Sequence, residues 1–186
     1  MKHLQMLCHV LLTKEFDAHA EKIYAVILEQ VRSGLDLMTV THPSNPITKK
    51  LEALNIPNAS ARWFFSTHQG VPNDNVRLFH AHDEVAFYWS AIHKKVSKRP
   101  YIGSFKIVKP IKNNSLSQWV YANTDGLYAF DSIDAKEFQR FSPNTKVVNL
   151  ELDLCTKMQD KTSEVKLLQE KFDQIYASLG FFKGPI

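Results

Sequence analysis

Two stretches of the chain carry apolar residues at the three-and-four spacing of an amphipathic helix. The first covers residues 15–32 and is followed by Ser33 and Gly34, which supply a C-terminal stop. The second covers residues 163–178 and ends before Gly180. The pattern therefore predicts one helix in the N-terminal third of the chain and one at its C-terminal end.

Capping signals predict three further helices. Asn45 followed by Pro46 fits an N-cap and a first helical residue, so we expect a short helix to Leu54. The acceptors and negative charge of the segment 82–84 favour the start of a helix that runs to about Val96. Ser132 or Asp134 is expected to cap a short helix that ends near Phe141.

Apolar and aromatic runs predict the strands. The predicted strands cover residues 35–41, 61–67, 76–81, 101–108 and 146–154, while residues 4–12 fit either a strand or the opening of a helix. Asp125 and Gly126, between the segments 118–123 and 127–132, are a hairpin signal. With no strict alternation of strands and helices, the sequence predicts α+β architecture in a single domain, residues 1–186, with a mixed or mostly antiparallel central sheet, N-terminal helices and a C-terminal helix.

Composition fits an ordinary globular protein. The 186 residues are 44% hydrophobic and 23% charged, which suits one domain with its own core. The net charge of +4 permits an acidic or phosphate-bearing partner without requiring one. Charge alone does not choose between a protein and a nucleic-acid partner.

The N-terminal sixteen residues contain an apolar patch that is interrupted by His3, Gln5 and His9. This pattern predicts neither a signal peptide nor a membrane span. Cys8 and Cys155 lack metal-type spacing and are expected to be buried free thiols, as in a reducing compartment. The expected location is cytoplasmic, in the source cell or in a host cell.

Candidate chemistry concentrates in residues 61–110, which hold four of the eight histidines. Strand alternation places His80 and His82 on one side of their strand, and together with His68 they could bind zinc. The alternative is that His82 caps the following helix and that the other two are ordinary polar residues at strand ends. The run from Asn149 to Asp153 similarly places Glu151 and Asp153 on one face, either for acid–base work or as the wet side of a half-buried strand.

One family resemblance rests on this stretch. A strand that ends in His68, the strand VRLFHA, the helix EVAFYWSAIHKK and the strand YIGSFKIVKP together resemble the core of the ADP-ribosyltransferase superfamily, and the ending YASLGFFKGPI is similar to that of some small members. The resemblance implies an NAD-dependent transferase that modifies a macromolecular target. It also implies that His68 binds the NAD ribose, Tyr88 stacks on the nicotinamide, and Glu151 aids departure of nicotinamide.

An alternative function stays open beside this resemblance. A basic and aromatic surface also suits a non-enzymatic binding or inhibitor protein, of phage or effector type, that acts on a protein or nucleic-acid partner. Motifs for a serine nucleophile elbow, a P-loop and a dinucleotide-binding glycine loop are absent from the sequence.

Overall fold

The computed structural model describes residues 6–66, 70–150 and 161–180. In chain order the elements are β1 (Met6–Leu11), α1 (Ala18–Arg32), β2 (Leu37–Thr41), α2 (Pro46–Ala53), β3 (Asn58–Ser60), β4 (Val76–Ala81), α3 (Glu84–Ser97), β5 (Tyr101–Ser104), α4 (Ser115–Ala122), β6 (Gly126–Ala129), α5 (Ser132–Phe141), β7 (Val147–Asn149) and α6 (Lys161–Ser178). Strands and helices thus alternate along most of the chain.

The seven strands form one sheet in the order β3-β2-β1-β4-β5-β6-β7, and every neighbouring pair is parallel. Strands β2 and β3 follow β1 towards one edge of the sheet. The chain then returns to place β4 on the other side of β1, and β5, β6 and β7 continue to the opposite edge. This is the doubly wound, Rossmann-like α/β arrangement, and its order reverses between β1 and β4. The prediction of an α+β fold with a mixed or mostly antiparallel sheet is therefore wrong.

A misread turn accounts for much of that error. The segment 118–123, the first arm of the predicted hairpin, lies largely in α4, whose N-cap Asn114 accepts a hydrogen bond from the Ser117 backbone N–H at 2.9 Å. Gly126 then starts β6 beside Ile102 of β5, in parallel register. The local Asp-Gly signal suits a hairpin, but the preceding segment closes a helical crossover between parallel strands instead.

The predicted strand 61–67 is the second error. The short strand β3 ends at Ser60, and the aromatic residues that follow lie in a turn. The Ser66 hydroxyl accepts hydrogen bonds from the backbone N–H groups of Arg62 and Trp63. Trp63 is 53% exposed and Phe65 54% exposed, so these rings are not core, contrary to the expectation for a buried strand.

Several local predictions are confirmed. Asn45 caps α2 and Pro46 is its first residue, β4 has the predicted bounds, and Gly34 after α1 has φ +82°. The undecided N-terminal segment is a strand. The predicted strand 146–154 is confirmed over Val147–Asn149, while its last four residues lie outside the described part of the chain.

Two apolar layers enclose the sheet. Helices α3, α4 and α5 pack on one face, around a core that includes Phe87, Tyr121 and Phe138. Helices α1, α2 and α6 cover the other face, around a core that includes Ile27 and Phe172. Among the described residues, none of the helices is long and apolar enough to cross a membrane.

Candidate functional site

Three buried histidines lie side by side where the strand order reverses. His9 of β1 pairs in register with His80 of β4, and His82 follows two residues later on the same face. Ser104, the last residue of β5, lies on the same side, where its hydroxyl meets both histidines of the β4 end. All four side chains are at most 1% exposed.

Hydrogen bonds join these residues into one chain, which we call the histidine chain. It runs through Gln30, His9, His82, Ser104, His80 and Tyr176. Its distances are 2.7 Å from Gln30 to His9, 2.8 Å from His9 to His82, 3.2 Å from His82 to Ser104, 2.7 Å from Ser104 to His80 and 2.6 Å from His80 to Tyr176. It links α1 to α6 across three strands.

The direction of every bond follows from the Gln30 carbonyl. His9 Nε2–H donates to Gln30 Oε1, so His9 Nδ1 accepts from His82 Nε2–H. His82 Nδ1 then accepts from the Ser104 hydroxyl, which in turn accepts from His80 Nε2–H. His80 Nδ1 accepts the Tyr176 hydroxyl proton. All six ring nitrogens are therefore satisfied with each imidazole neutral.

Burial also favours the neutral forms. It lowers the pKa of His9 to about 4, opposed by the hydrogen bond to Gln30. Burial likewise lowers the pKa of His80 and that of His82 well below the ordinary value, and the neighbouring histidines add to both shifts. The histidine chain is therefore uncharged at neutral pH.

The three imidazoles are close enough to be considered as a metal site, since one nitrogen from each lies within 4.8 Å of the others. Zinc–nitrogen bonds of about 2.0–2.1 Å in a tetrahedron separate ligand nitrogens by roughly 3.3 Å. His9 Nδ1 and His82 Nε2 are 2.8 Å apart and aimed at each other as donor and acceptor. The arrangement fits a neutral hydrogen-bond chain better than a cation site. Of the predicted metal trio, His80 and His82 come together, while His68 lies outside the described residues.

The loops at the carboxyl ends of the strands form a surface above the histidine chain, which we call the carboxyl edge. Asp83 holds the loop after β1 in place at this edge. Its carboxylate accepts hydrogen bonds from the backbone N–H groups of Leu12 at 2.6 Å and Thr13 at 3.1 Å. The other oxygen of the same carboxylate caps α3 by accepting from the Ala86 N–H at 2.8 Å. Burial raises the pKa of Asp83, and these hydrogen bonds oppose the rise. The loop after β1 is thus tied to the start of α3.

His19, in the first turn of α1, lies at the carboxyl edge. Its Nε2–H donates to the His82 backbone carbonyl at 3.1 Å, so in the neutral ring Nδ1 carries the lone pair. Burial lowers the pKa of His19, which keeps the ring neutral at pH 7. Within the described part of the chain, no hydrogen bond engages Nδ1. His19 therefore offers a base at the point where the strand order reverses.

Basic side chains surround this point. Burial lowers the pKa of His42, at the end of β2, and the charges of Lys14 and Arg62 lower it further, so these two cations lie near it. The loop from β5 to α4 adds three exposed lysines, Lys106, Lys109 and Lys112. Asp131 pairs with Lys106 at 3.5 Å. The carboxyl edge thus presents cations from three loops, as a phosphate-bearing ligand requires.

The structure places the predicted NAD-site residues as follows. Tyr88 lies on α3, on the face of the sheet opposite the histidine chain, and its hydroxyl donates to Ser117 Oγ at 2.7 Å. Its ring packs against Phe64 and Tyr121. His68 and Glu151 lie outside the described residues, so their predicted roles stay untested.

Sequence reasoning missed four of the six residues of the histidine chain, namely His9, Gln30, Ser104 and Tyr176. His9 stood out only as an interruption of an apolar run, and Gln30 and Tyr176 are single polar residues in amphipathic helices. The alternation of Leu7, His9 and Leu11 on one strand face was the available signal. Their partners depend on which strands are neighbours, which local spacing does not reveal.

Comparisons with known proteins bear on the fold. No family model matches the sequence, and no curated protein matches it. Three solved structures share the fold: Anabaena Alr3699/HepE in complex with UDP (TM-score 0.53, 12% identity, 78% of this chain and 44% of that chain), the same protein with UDP-glucose (0.52, 11%, 77% and 43%), and a glycosyltransferase from Rickettsia africae (0.51, 13%, 97% and 50%). This chain therefore spans at most half of the length of these structures.

These similarities overturn the predicted family. Two of these three structures are of one protein bound to UDP or UDP-glucose, and the third is a glycosyltransferase, so the resemblance to ADP-ribosyltransferases is wrong. The expectations of an NAD-dependent ADP-ribosyltransferase function and of NAD as cofactor are wrong with it. The alternative of a non-enzymatic binding or inhibitor protein receives no support from these structures either. What this chain shares with them is a fold: a Rossmann-like α/β unit that is also found in a glycosyltransferase.

Proposed function

We propose that this chain is one Rossmann-like unit of a nucleotide-sugar-dependent glycosyltransferase. In this proposal, the diphosphate of a UDP-sugar type donor binds at the carboxyl edge, beside the point where the strand order reverses. The observation that carries the proposal is the basic carboxyl edge above a doubly wound parallel sheet. The solved structures add that proteins of this fold bind UDP and UDP-glucose.

The topology supports this position for the ligand. In open parallel sheets, ligands bind outside the carboxyl ends of the strands, where the order reverses. Here that position lies between β1 and β4, under the loops that carry Lys14 and Arg62. The helices after these strands also begin there, and their N-terminal N–H groups favour anions.

His19 supplies the acid–base chemistry that glycosyl transfer needs. The acceptor hydroxyl oxygen forms a bond to the anomeric carbon of the sugar while the bond from that carbon to the diphosphate oxygen breaks. The hydroxyl proton passes to His19 Nδ1, and the diphosphate leaves with the bonding electrons. A neutral imidazole is suited to this step, and the nearby cations stabilise the charge that develops on the leaving group.

Ligand titration with paired variants tests the proposal. We expect UDP and UDP-glucose to raise the melting temperature of the protein saturably, because ligand binding to the native state adds stability. Replacing Lys14 and Arg62 together by alanine should weaken binding about tenfold or more, the effect of losing roughly 1.4 kcal/mol or more of phosphate contacts. NAD, run in parallel, should bind more weakly than UDP-glucose.

A control pair removes the same charge elsewhere. Arg32 and Lys166 are exposed and border one concavity between α1 and α6, away from the carboxyl edge. Replacing both by alanine should leave UDP binding unchanged. An absence of saturable binding to both UDP and UDP-glucose, or an equal loss in the two variant pairs, would contradict the proposal.

A further inference from the structure

We propose that the histidine chain is an acid-sensitive latch between α6 and the sheet. Helix α6 stays docked while all three imidazoles are neutral, and a proton that enters the chain loosens it. This inference stands apart from the proposed glycosyltransferase activity, because it concerns the buried face of the sheet and needs no substrate.

Helix α6 covers the histidine chain. The Phe172 ring packs edge-on against His80, with ring centroids 4.6 Å apart, and lies 5.8 Å from the ring of His82. The Tyr176 hydroxyl donates to His80 Nδ1 at 2.6 Å. Phe172 and Tyr176 are both fully buried, so the fit of α6 depends directly on the state of the histidines below it.

A single added proton cannot enter the chain without changing its α6 end. In the neutral chain every ring nitrogen that lacks a hydrogen already accepts one from its neighbour. A proton on His9 Nδ1 therefore points at the Nε2–H of His82, so two donors face each other. The two hydrogens are separated only if His82 changes tautomer and every later hydrogen bond of the chain changes direction. The reversal passes through Ser104 to His80 Nδ1, which then becomes a donor towards the Tyr176 oxygen. The Tyr176 hydroxyl hydrogen must leave the place where it now lies.

The surroundings offer little compensation for a positive charge. From α1, His19 adds to the repulsion that disfavours charge on His80 and His82. Burial raises the pKa of the Tyr176 hydroxyl well above its ordinary value, a side-chain hydrogen bond with Gln30 opposes the rise, and half-buried Asp173 of α6 and Tyr128 of β6 add to it. Within the described residues, no carboxylate hydrogen-bonds to the three rings. An uncompensated charge in a buried site is costly, so the folded state resists protonation until the packing opens.

The direction of the pH effect follows from proton linkage. The folded pKa values lie below the ordinary value of about 6.5, so the native state binds fewer protons than the open state. The latch is fully closed above about pH 6.5 and weakens as the pH falls below it. The opening constant rises by up to about tenfold per pH unit for each histidine that stays neutral when closed.

Hydrogen exchange followed by mass spectrometry tests the latch. Between pH 7.5 and pH 5.5, after correction for the intrinsic exchange rate, we expect protection of α6 to fall at least tenfold more than that of α3. Helix α3 lies on the opposite face of the sheet and serves as the internal reference. An equal loss of protection in the two helices would overturn the proposal.

Paired variants separate the histidine chain from general acid sensitivity. In His80→Gln the side chain does not titrate. The loss of α6 protection between pH 7.5 and pH 5.5, relative to that of α3, should therefore be about tenfold smaller than in the wild type. His93→Gln is the matched control, because His93 is also fully buried but lies on α3 and pairs with Asn73 at 2.7 Å. If His80→Gln does not fold, His9→Gln gives the same test. An α6 response that is the same in the chain variant as in the wild type would overturn the proposal.

Discussion

The two faces of the sheet are stabilised in different ways. Under α3, α4 and α5 the core is aromatic: the ring of Phe87 lies 5.0–5.3 Å from the rings of Tyr101, Phe105 and Tyr121. Under α1 and α6 the same depth of burial holds the hydrogen-bonded histidine chain. The strands that support both faces are the same, so the difference lies in the side chains alone. Both faces have an apolar core, and the histidine face depends in addition on a chain of satisfied polar groups.

This difference has an energetic meaning. Apolar burial gains free energy in proportion to the area removed from water and does not depend on protonation. A buried polar chain contributes little net stability when every bond is made, but each unmade bond is costly. We therefore expect large, pH-independent effects on the aromatic face and smaller, pH-dependent effects on the histidine face.

The largest effect should follow from Phe87→Ala. This ring is fully buried and its loss leaves a cavity among three aromatic neighbours, which costs about 3–5 kcal/mol of unfolding free energy. Urea unfolding at pH 7.5 and at pH 5.5 measures the cost, and we expect the same difference from wild type at both pH values. A cost below about 1 kcal/mol, or one that changes strongly with pH, would break the distinction between the faces.

A smaller effect is expected for Ser104→Ala. The change removes the centre of the histidine chain, so His80 Nε2–H loses its acceptor and His82 Nδ1 loses its donor. Unsatisfied buried groups of this kind cost about 1–3 kcal/mol at pH 7.5.

Two comparisons sharpen that result. Ser90→Ala is the control, because the Ser90 hydroxyl is equally buried but donates only to the Ala86 carbonyl of its own helix, at 2.8 Å. It should cost less than Ser104→Ala in the same urea series. If the two serine variants are equally stable at pH 7.5, the histidine chain contributes nothing specific to the fold.

The sequence predicts much of the local structure. Asn45, Pro46 and Gly34 act within one turn of their own position, so the bounds of α2 and the end of α1 follow from residue chemistry. The same holds for the shared face of His80 and His82, since strand alternation is a local property.

The sheet topology and the histidine chain do not follow in this way. The hairpin signal of Asp125 and Gly126 is real, but tertiary packing turns the preceding residues into α4, and the mistaken hairpin concealed the alternation of strands and helices. His9 meets His80 only because β1 and β4 are neighbours, a pairing of residues 71 positions apart. No local spacing encodes that register.

The most direct test of the proposed function is to locate UDP-glucose on the protein by hydrogen exchange. We predict that saturating UDP-glucose slows backbone hydrogen exchange in the loops after β1 and β4, around Thr13 and Asp83. Exchange in the turn near Gly34, which lies at the opposite, amino edge of the sheet before β2, should not change. That result would place the ligand at the carboxyl edge, where the strand order reverses. Protection confined to the amino edge, or none at a ligand concentration that raises the melting temperature, would contradict the account.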